Sequence, residues 1–204
     1  MNYLAMSGLL ICISSFISSL FVYSRWPRRM LNVTWGLFAF SVCMWGLGLF
    51  MAFRTSEEAE ALLWSRFLNI AAIFIPVFFY HFTVIFSNKE KERRWELHSI
   101  YLAGLILLIS VLLLPDQFIP SVSHKLTFLY YPDPGILYYG FPLLFGYLII
   151  RSIWLLLNQW KEASLYKRNQ LKYLLMGVIL GFAGGSTTFP LVFGIKIYPF
   201  GVIL

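Results

Sequence analysis

Arg66, Asn69, Ile73, Pro76, Tyr80 and Thr83 follow one another at intervals of three or four residues. At about 3.6 residues per turn they form one stripe along a helix. The stripe lies in ALLWSRFLNIAAIFIPVFFYHFTVIFS, a run that is otherwise apolar and long enough to cross a bilayer. Polar side chains in such a run face other protein or trapped water, because hydrocarbon offers them no partner. The chemistry open to them is recognition by hydrogen bonding in dry surroundings. Trp64, Arg66, Asn69 and Tyr80 are the candidate ligand contacts, joined by Ser186 and Thr187 near the same side of a later apolar run.

Three residues in this run have two readings each. Arg66 lies near an acidic loop, so its guanidinium either snorkels out to pair with a glutamate there or recognises an anionic or polar ligand. Pro76 cannot donate a backbone hydrogen bond; it frees the carbonyl of Ala72 and kinks the helix, as a structural bend or as a hinge. His81 is either a neutral imidazole bonded to a neighbouring helix or a protonation switch.

Other chemistries find no support. The three histidines, at 81, 98 and 124, fall in three different segments, which is not metal-ligand spacing. Neither a nucleophile–base pair nor a phosphate-binding glycine loop is present. No catalytic residue, metal or cofactor is expected. Ser56, followed by Glu57, Glu58 and Glu60, reads as a helix N-cap with acids at the partially positive helix end. Cys12 and Cys43 sit in the middle of apolar runs and read as reduced, lipid-facing or packing residues.

The elements that carry these residues follow from composition. Of the 204 residues, 59% are hydrophobic and only 12% charged, against roughly a quarter charged in soluble domains. The apolar residues fall in continuous blocks without period-two alternation, so the spans are helices and not barrel strands. Six complete spans are expected, at about 3–23, 31–53, 61–87, 99–114, 136–157 and 171–189, with 201–204 as the start of a seventh. The chain reads as one all-α integral membrane domain over 1–204. Trp35 is placed at an interface and Trp45 deeper, toward the bundle interior. Ser14, Ser15, Ser18 and Ser19 form two small-xxx-small pairs; Gly177, Gly181 and Gly185 share one face and would let a neighbouring helix pack closely. Between 115 and 135, Pro115, Pro120, Pro132 and Pro134 break a loop whose two aromatic runs flank Pro132-Asp133-Pro134-Gly135, predicting a hairpin turning there.

The net charge of +7 is a matter of topology and not of nucleic-acid binding, because the charges sit in short loops. Arg25, Arg28 and Arg29 follow the first span, Lys89, Lys91, Arg93 and Arg94 the third, and Arg151, Lys161, Lys167, Arg168 and Lys172 gather around the end of the fifth. These share one side, against Arg54, Arg66, Lys125 and Lys196 on the other. Basic residues concentrate inside, which puts the N-terminus outside. No basic residue precedes the first span, the reverse of a signal peptide, so it is expected to remain as an anchor.

The acidic loop running into ALLWSRFLNIAAIFIPVFFYHFTVIF, the RNQLKYLLMGVILGFAGG junction and the closing IYPFG together resemble the N-terminal seven-transmembrane sensor region of bacterial histidine kinases, also found on diguanylate cyclases. The resemblance implies a sensory input module of the bacterial plasma membrane, whose last helix continues into a cytoplasmic, homodimeric signalling domain. The chain departs from that pattern by ending before the seventh helix is complete and by carrying no kinase or cyclase domain, so this segment is not expected to be an enzyme. His98 sits in a different context from a phosphoacceptor. The implied partners are the lipid bilayer and a small-molecule or lipid signal. The rival reading, a small transporter or channel subunit, needs a continuous polar pathway, and the second, fourth and fifth spans offer almost no polar residue in their middles.

Overall fold

The computed structural model describes residues 3–27 and 29–202. Arg28 of the first inner loop and Ile203 and Leu204 of the expected seventh span lie outside the described residues. Six helices among the described residues are long and apolar enough to cross a membrane. They are α1 (Tyr3–Tyr23), α2 (Met30–Arg54), α3 (Glu58–Phe86), α4 (Arg94–Leu113), α6 (Gly140–Glu162) and α7 (Leu165–Ser186). Two short helices, α5 (Pro115–Phe118) and α8 (Thr188–Val192), lie between and after them. The chain is therefore a multi-pass helical membrane bundle, with its N-terminus outside by the loop charges.

Two helices begin earlier than hydropathy implies. α4 starts at Arg94 and α7 at Leu165, so only residues 163–164 separate α6 from α7. Arginine, lysine, leucine and glutamate are good helix formers whether or not they lie in hydrocarbon. Hydropathy marks where lipid ends; the helix continues past it, and Arg168 donates to the carbonyl of Ala163 at 3.0 Å to close the junction.

The start of α3 corrects the expected cap. Glu57, not Ser56, occupies the N-cap. Thr55 supplies the polar contact: its Oγ1 donates to the Glu60 carboxylate at 2.6 Å and accepts from the Glu57 N–H at 3.1 Å. Along α3, Asn69, Ile73, Pro76, Tyr80 and Thr83 are buried and Arg66 is half-buried. The helix sits against α2, α4 and α6, which makes it the centre of the bundle.

α1 packs on α2 through glycines. A Cβ on Gly8 would lie 2.8 Å from the carbonyl oxygen of Gly46, and one on Gly46 would lie 2.7 Å from that of Gly8. Of the four serines read as packing residues, Ser19 donates to the Gly36 carbonyl at 2.8 Å and Ser18 accepts from Trp35 Nε1 at 3.4 Å, whereas Ser14 is exposed. Trp35 thus turns inward and is not a simple interfacial anchor. The same close approach brings Cys12 Sγ to 3.3 Å from Cys43 Sγ, so the cysteines are neighbours. Treating membranes with the permeant oxidant diamide is expected to join them, with both thiols lost to alkylation in mass spectrometry. Two thiols that remain alkylatable would contradict the contact.

The outer loop folds differently from expectation. The hairpin consists of β1 (Val122–Lys125) and β2 (Phe128–Pro132), antiparallel, with Val122 opposite Pro132 and Lys125 opposite Phe128. It turns at Leu126, whose φ is +54°. Pro132 ends the second strand and Asp133-Pro134-Gly135 follows it, and ILYY forms a 3-10 turn, Ile136–Tyr139, that leads into α6. Steric and polar contacts hold the segment there. A Cβ on Gly135 would fall 2.0 Å from the Gln117 carbonyl oxygen, and the Asp133 carboxylate accepts from Ser121, Ser123 and Lys125 at 2.8–3.0 Å. Lys125 also donates to the carbonyls of Pro132 and Val192, both at 2.9 Å, tying the hairpin to α8.

Burial alone would raise the Asp133 carboxyl, but hydrogen bonds from Lys125 and Ser123, the Lys125 charge and the Ser121 hydroxyl outweigh it and hold the group below the usual carboxylate range. A carboxyl lowered in the folded state contributes stability that is present above its unfolded value and is lost as pH falls through the folded one. The hairpin is therefore expected to loosen below about pH 4, read as faster amide exchange over residues 122–132. Asp133→Asn should loosen it at neutral pH and abolish that acid dependence.

Candidate functional site

The helices around α3 leave a cavity of about 380 Å³ between α2, α3, α6 and α7, roofed by Tyr131 and Pro132 of β2. α2 supplies Trp35, Phe38 and Trp45 to its wall; α3 supplies Asn69, Ala72 and Phe79; and the segment leading into α6, with α6 itself, supplies Tyr138, Phe141 and Phe145. α7 supplies Phe182 and the three glycines Gly177, Gly181 and Gly185.

The glycine face explains why the space exists. A Cβ at Gly177, Gly181 or Gly185 would meet nothing within 4 Å. The expected close helix contact is therefore not made by any described part of the chain, and these glycines form a thin wall instead. Gly177 and Gly181 are exposed as well as lining the cavity, so the space opens sideways past them. The close approach on α7 is made by Gly184, whose Cβ would lie 2.6 Å from the Gly201 carbonyl oxygen.

The lining is mostly apolar and aromatic. Phe38 and Phe79 have ring centroids 5.3 Å apart, Phe79 and Phe182 5.1 Å, and Phe145 and Phe182 5.7 Å. The lining contains no Asp, Glu, Lys, Arg or His among the described residues. Asn69 is 3% exposed and brings the amide group; its Nδ2 donates to the carbonyl of Ser65 at 2.8 Å.

Of the six ligand-contact candidates, Asn69 is the one that lines this cavity. Trp64 packs edge-on against Phe67, 5.3 Å between centroids. Arg66 is held elsewhere: its Nη2 lies 2.6 Å from Asp116 Oδ1, and Nε and Nη2 donate to the Ile119 carbonyl at 3.1 and 2.9 Å. Its partner is thus Asp116 of α5 and not a glutamate of the acidic loop, because α5 folds back over the outer end of α3. Tyr80 is fully buried and its hydroxyl interacts with Glu96 without reaching hydrogen-bond geometry. Ser186 donates to the Phe182 carbonyl and Thr187 to that of Gly184, both within the last turn of α7. His81 Nδ1 sits 2.7 Å from the Tyr101 hydroxyl, joining α3 to α4.

Arg66→Ala strips the Ile119 carbonyl of both side-chain donors, at a cost of about 1–3 kcal/mol. Asp116→Asn should be nearly neutral, since that side chain is 83% exposed and the pair is solvent-screened. Melting both variants in detergent separates the two: equal losses would contradict an anchor based on the carbonyl.

A polar cluster that sequence reasoning did not assemble lies toward the inner ends of α4 and α6. Glu96 accepts from Arg93 at 2.7 Å, from Arg151 at 2.9–3.2 Å and from the Tyr147 hydroxyl at 3.1 Å. The guanidinium carbons of Arg93 and Arg151 lie 5.4 and 5.0 Å from the Trp154 ring centroid. The spacing of Tyr147, Arg151 and Trp154 along one helix face was the available signal.

In comparison with known proteins, the family model described as the N-terminal 7TM region of histidine kinase matches residues 9–204. No curated protein and no solved structure matches the chain.

Proposed function

The chain belongs to the family of N-terminal 7TM regions of histidine kinases, and from that premise we propose that it senses a membrane-borne stimulus in the cavity beside α3 and relays it to a cytoplasmic histidine kinase domain. As a membrane sensory input domain it carries no catalytic residues of its own. We place it in the bacterial plasma membrane, with the kinase part as the dimerising unit.

The observation that carries this reading is the position of the cavity between the buried centre of the bundle, α3, and the thin glycine wall of α7. A ligand acts on such a site only through different affinities for two packings. Movement of α7 passes directly to the segment that follows, because Gly184 meets Gly201 backbone to backbone and Thr187 Oγ1 accepts from the Gly201 N–H at 3.2 Å. Pro76, buried in the middle of α3, is the hinge candidate in the helix that forms the opposite wall. A transport role would need a continuous polar route, for which a lining without charged side chains is poorly suited.

The test uses the intact kinase in its membrane. Asn69→Ala and Gly181→Leu are expected to change stimulus-dependent autophosphorylation while insertion stays at the wild-type level. Wild-type dose–response curves for both variants would remove the cavity from the signalling path.

A further inference from the structure

The chemistry of the cavity restricts what can occupy it, and this restriction rests on reading the cavity as the stimulus site. No charged side chain among the described residues lines it, so a carboxylate, phosphate or ammonium would enter at a steep desolvation penalty with nothing to offset it. Arg66, the nearest cation along α3, is already committed to Asp116 and the Ile119 carbonyl. The occupant is therefore neutral.

Its shape follows from the walls. Trp35, Phe38, Phe79, Phe145 and Phe182 present a connected set of tilted and edge-on rings, with centroid separations of 5.1–6.2 Å. Aromatic quadrupoles favour a further flat ring in offset or edge-to-face contact over a saturated chain of equal area. A volume of about 380 Å³ lies at the small end of ligand pockets and suits a bicyclic ring system with a short substituent.

Asn69 is among the polar groups of the lining that keep hydrogen-bonding capacity. Asn69 spends one N–H on the Ser65 carbonyl, while its Oδ1 and second N–H have no hydrogen-bond partner among the described residues and the side chain lines the cavity. A side chain so deeply buried, with hydrogen-bonding capacity left over, calls for a hydroxyl or carbonyl on the ligand. Among the described residues no side chain closes the wall at Gly177 and Gly181.

We propose that the cavity binds a neutral, flat-ringed, lipid-soluble molecule whose hydroxyl or carbonyl pairs with Asn69, of the quinone, quinol or phenol class. An isoprenoid quinone of the membrane and a free aromatic compound share this chemistry; they differ in the tail, which only the former carries.

The experiment uses the intact membrane kinase in phospholipid nanodiscs, with tryptophan fluorescence as the readout because Trp35 and Trp45 line the cavity. The probes are 2-methyl-1,4-naphthoquinone, the same ring bearing a four-isoprene tail, and dodecanol as a ringless neutral competitor. Wild type should show saturable quenching by at least one quinone, not displaced by dodecanol. Asn69→Leu should weaken it at least tenfold and Gly181→Leu, which puts a bulky side chain on the cavity wall, should abolish it. Gly146→Leu, at a glycine that also meets nothing within 4 Å but lies off the cavity, should bind as wild type.

Binding of only the tailed probe assigns the ligand to the membrane pool, and binding of only the tailless one to a free aromatic. Quenching that is linear and equal in all variants, or fully reversed by dodecanol, overturns the proposal. Saturable binding without any effect on kinase output would leave the ligand class standing and fell the signalling role. Altered signalling in Asn69→Ala without ring binding would do the reverse.

Discussion

Replacing Glu96 with glutamine is expected to destabilise the bundle by about 3 kcal/mol, a larger loss than for Arg151→Gln or Asp116→Asn. One carboxylate serves two guanidinium groups, Arg93 from the turn before α4 and Arg151 from α6, as well as the Tyr147 hydroxyl. The side chains of all three ionic partners are mostly buried, between 17% and 25% exposed. Glutamine keeps the shape but removes the charge, leaving two cations packed against Trp154 without a counter-ion. Breaking a buried pair by removing one partner is strongly unfavourable because the remaining charge stays desolvated. Arg151→Gln should cost less, since Glu96 then retains Arg93. Unfolding in graded denaturing detergent measures both; a loss below about 0.5 kcal/mol for Glu96→Gln, the scale of exposed pairs, would show that solvent reaches the cluster.

Gly46→Leu is expected to be comparably damaging, by about 3 kcal/mol, the upper end for overpacked sites, for a steric reason. The atoms that a Cβ would meet are the Gly8 carbonyl oxygen at 2.7 Å and the Cys12 nitrogen at 2.8 Å. Both are backbone, so no rotamer change relieves the clash and α1 must move away from α2. The same separation should abolish diamide coupling of Cys12 to Cys43, which gives a readout independent of stability. Gly177→Leu, by contrast, should leave stability unchanged within about 0.5 kcal/mol, the range of ordinary surface substitutions. A wild-type melting profile and intact coupling in Gly46→Leu would contradict the observed helix contact.

These two glycine sites mark the limit of the sequence reading. Gly177, Gly181 and Gly185 carry the regular spacing associated with close helix packing, yet no described residue would meet a Cβ there within 4 Å, whereas Gly8 and Gly46, in different helices, are in contact. Periodicity states which residues share a face; it does not state what the face meets. The cap of α3 and the turn of the outer hairpin moved for a similar reason. Glu57 took the cap position read for Ser56, with Thr55 bonded to Glu60 beside it, and Leu126 took the turn read for Pro132-Asp133-Pro134-Gly135, because the surrounding contacts decided between several competent residues.

Asn69 was legible as a candidate because an amide in an apolar run has few places to go, and it lines the cavity. The rest of its cavity was not, since Trp35, Phe38, Phe145 and Phe182 are indistinguishable in sequence from aromatic residues packed in a solid core. Arg66 and Tyr80 stood out for the same polarity as Asn69 and proved to be held by Asp116 and to lie beside Glu96, residues that adjoin them only in the folded bundle.

Taken alone, the sequence determined the six apolar helices found among the described residues, the loop-charge bias between their two ends, the polar stripe of α3 and the family resemblance. All four depend on hydropathy, charge and periodicity, which are local properties along the chain. Tertiary structure alone decided where helices touch and where they part: the Cys12–Cys43 contact, the Glu96 cluster and the aromatic cavity beside Asn69. Each joins side chains from different helices, and hydrocarbon-facing and protein-facing apolar residues look alike until the neighbouring helix is in place.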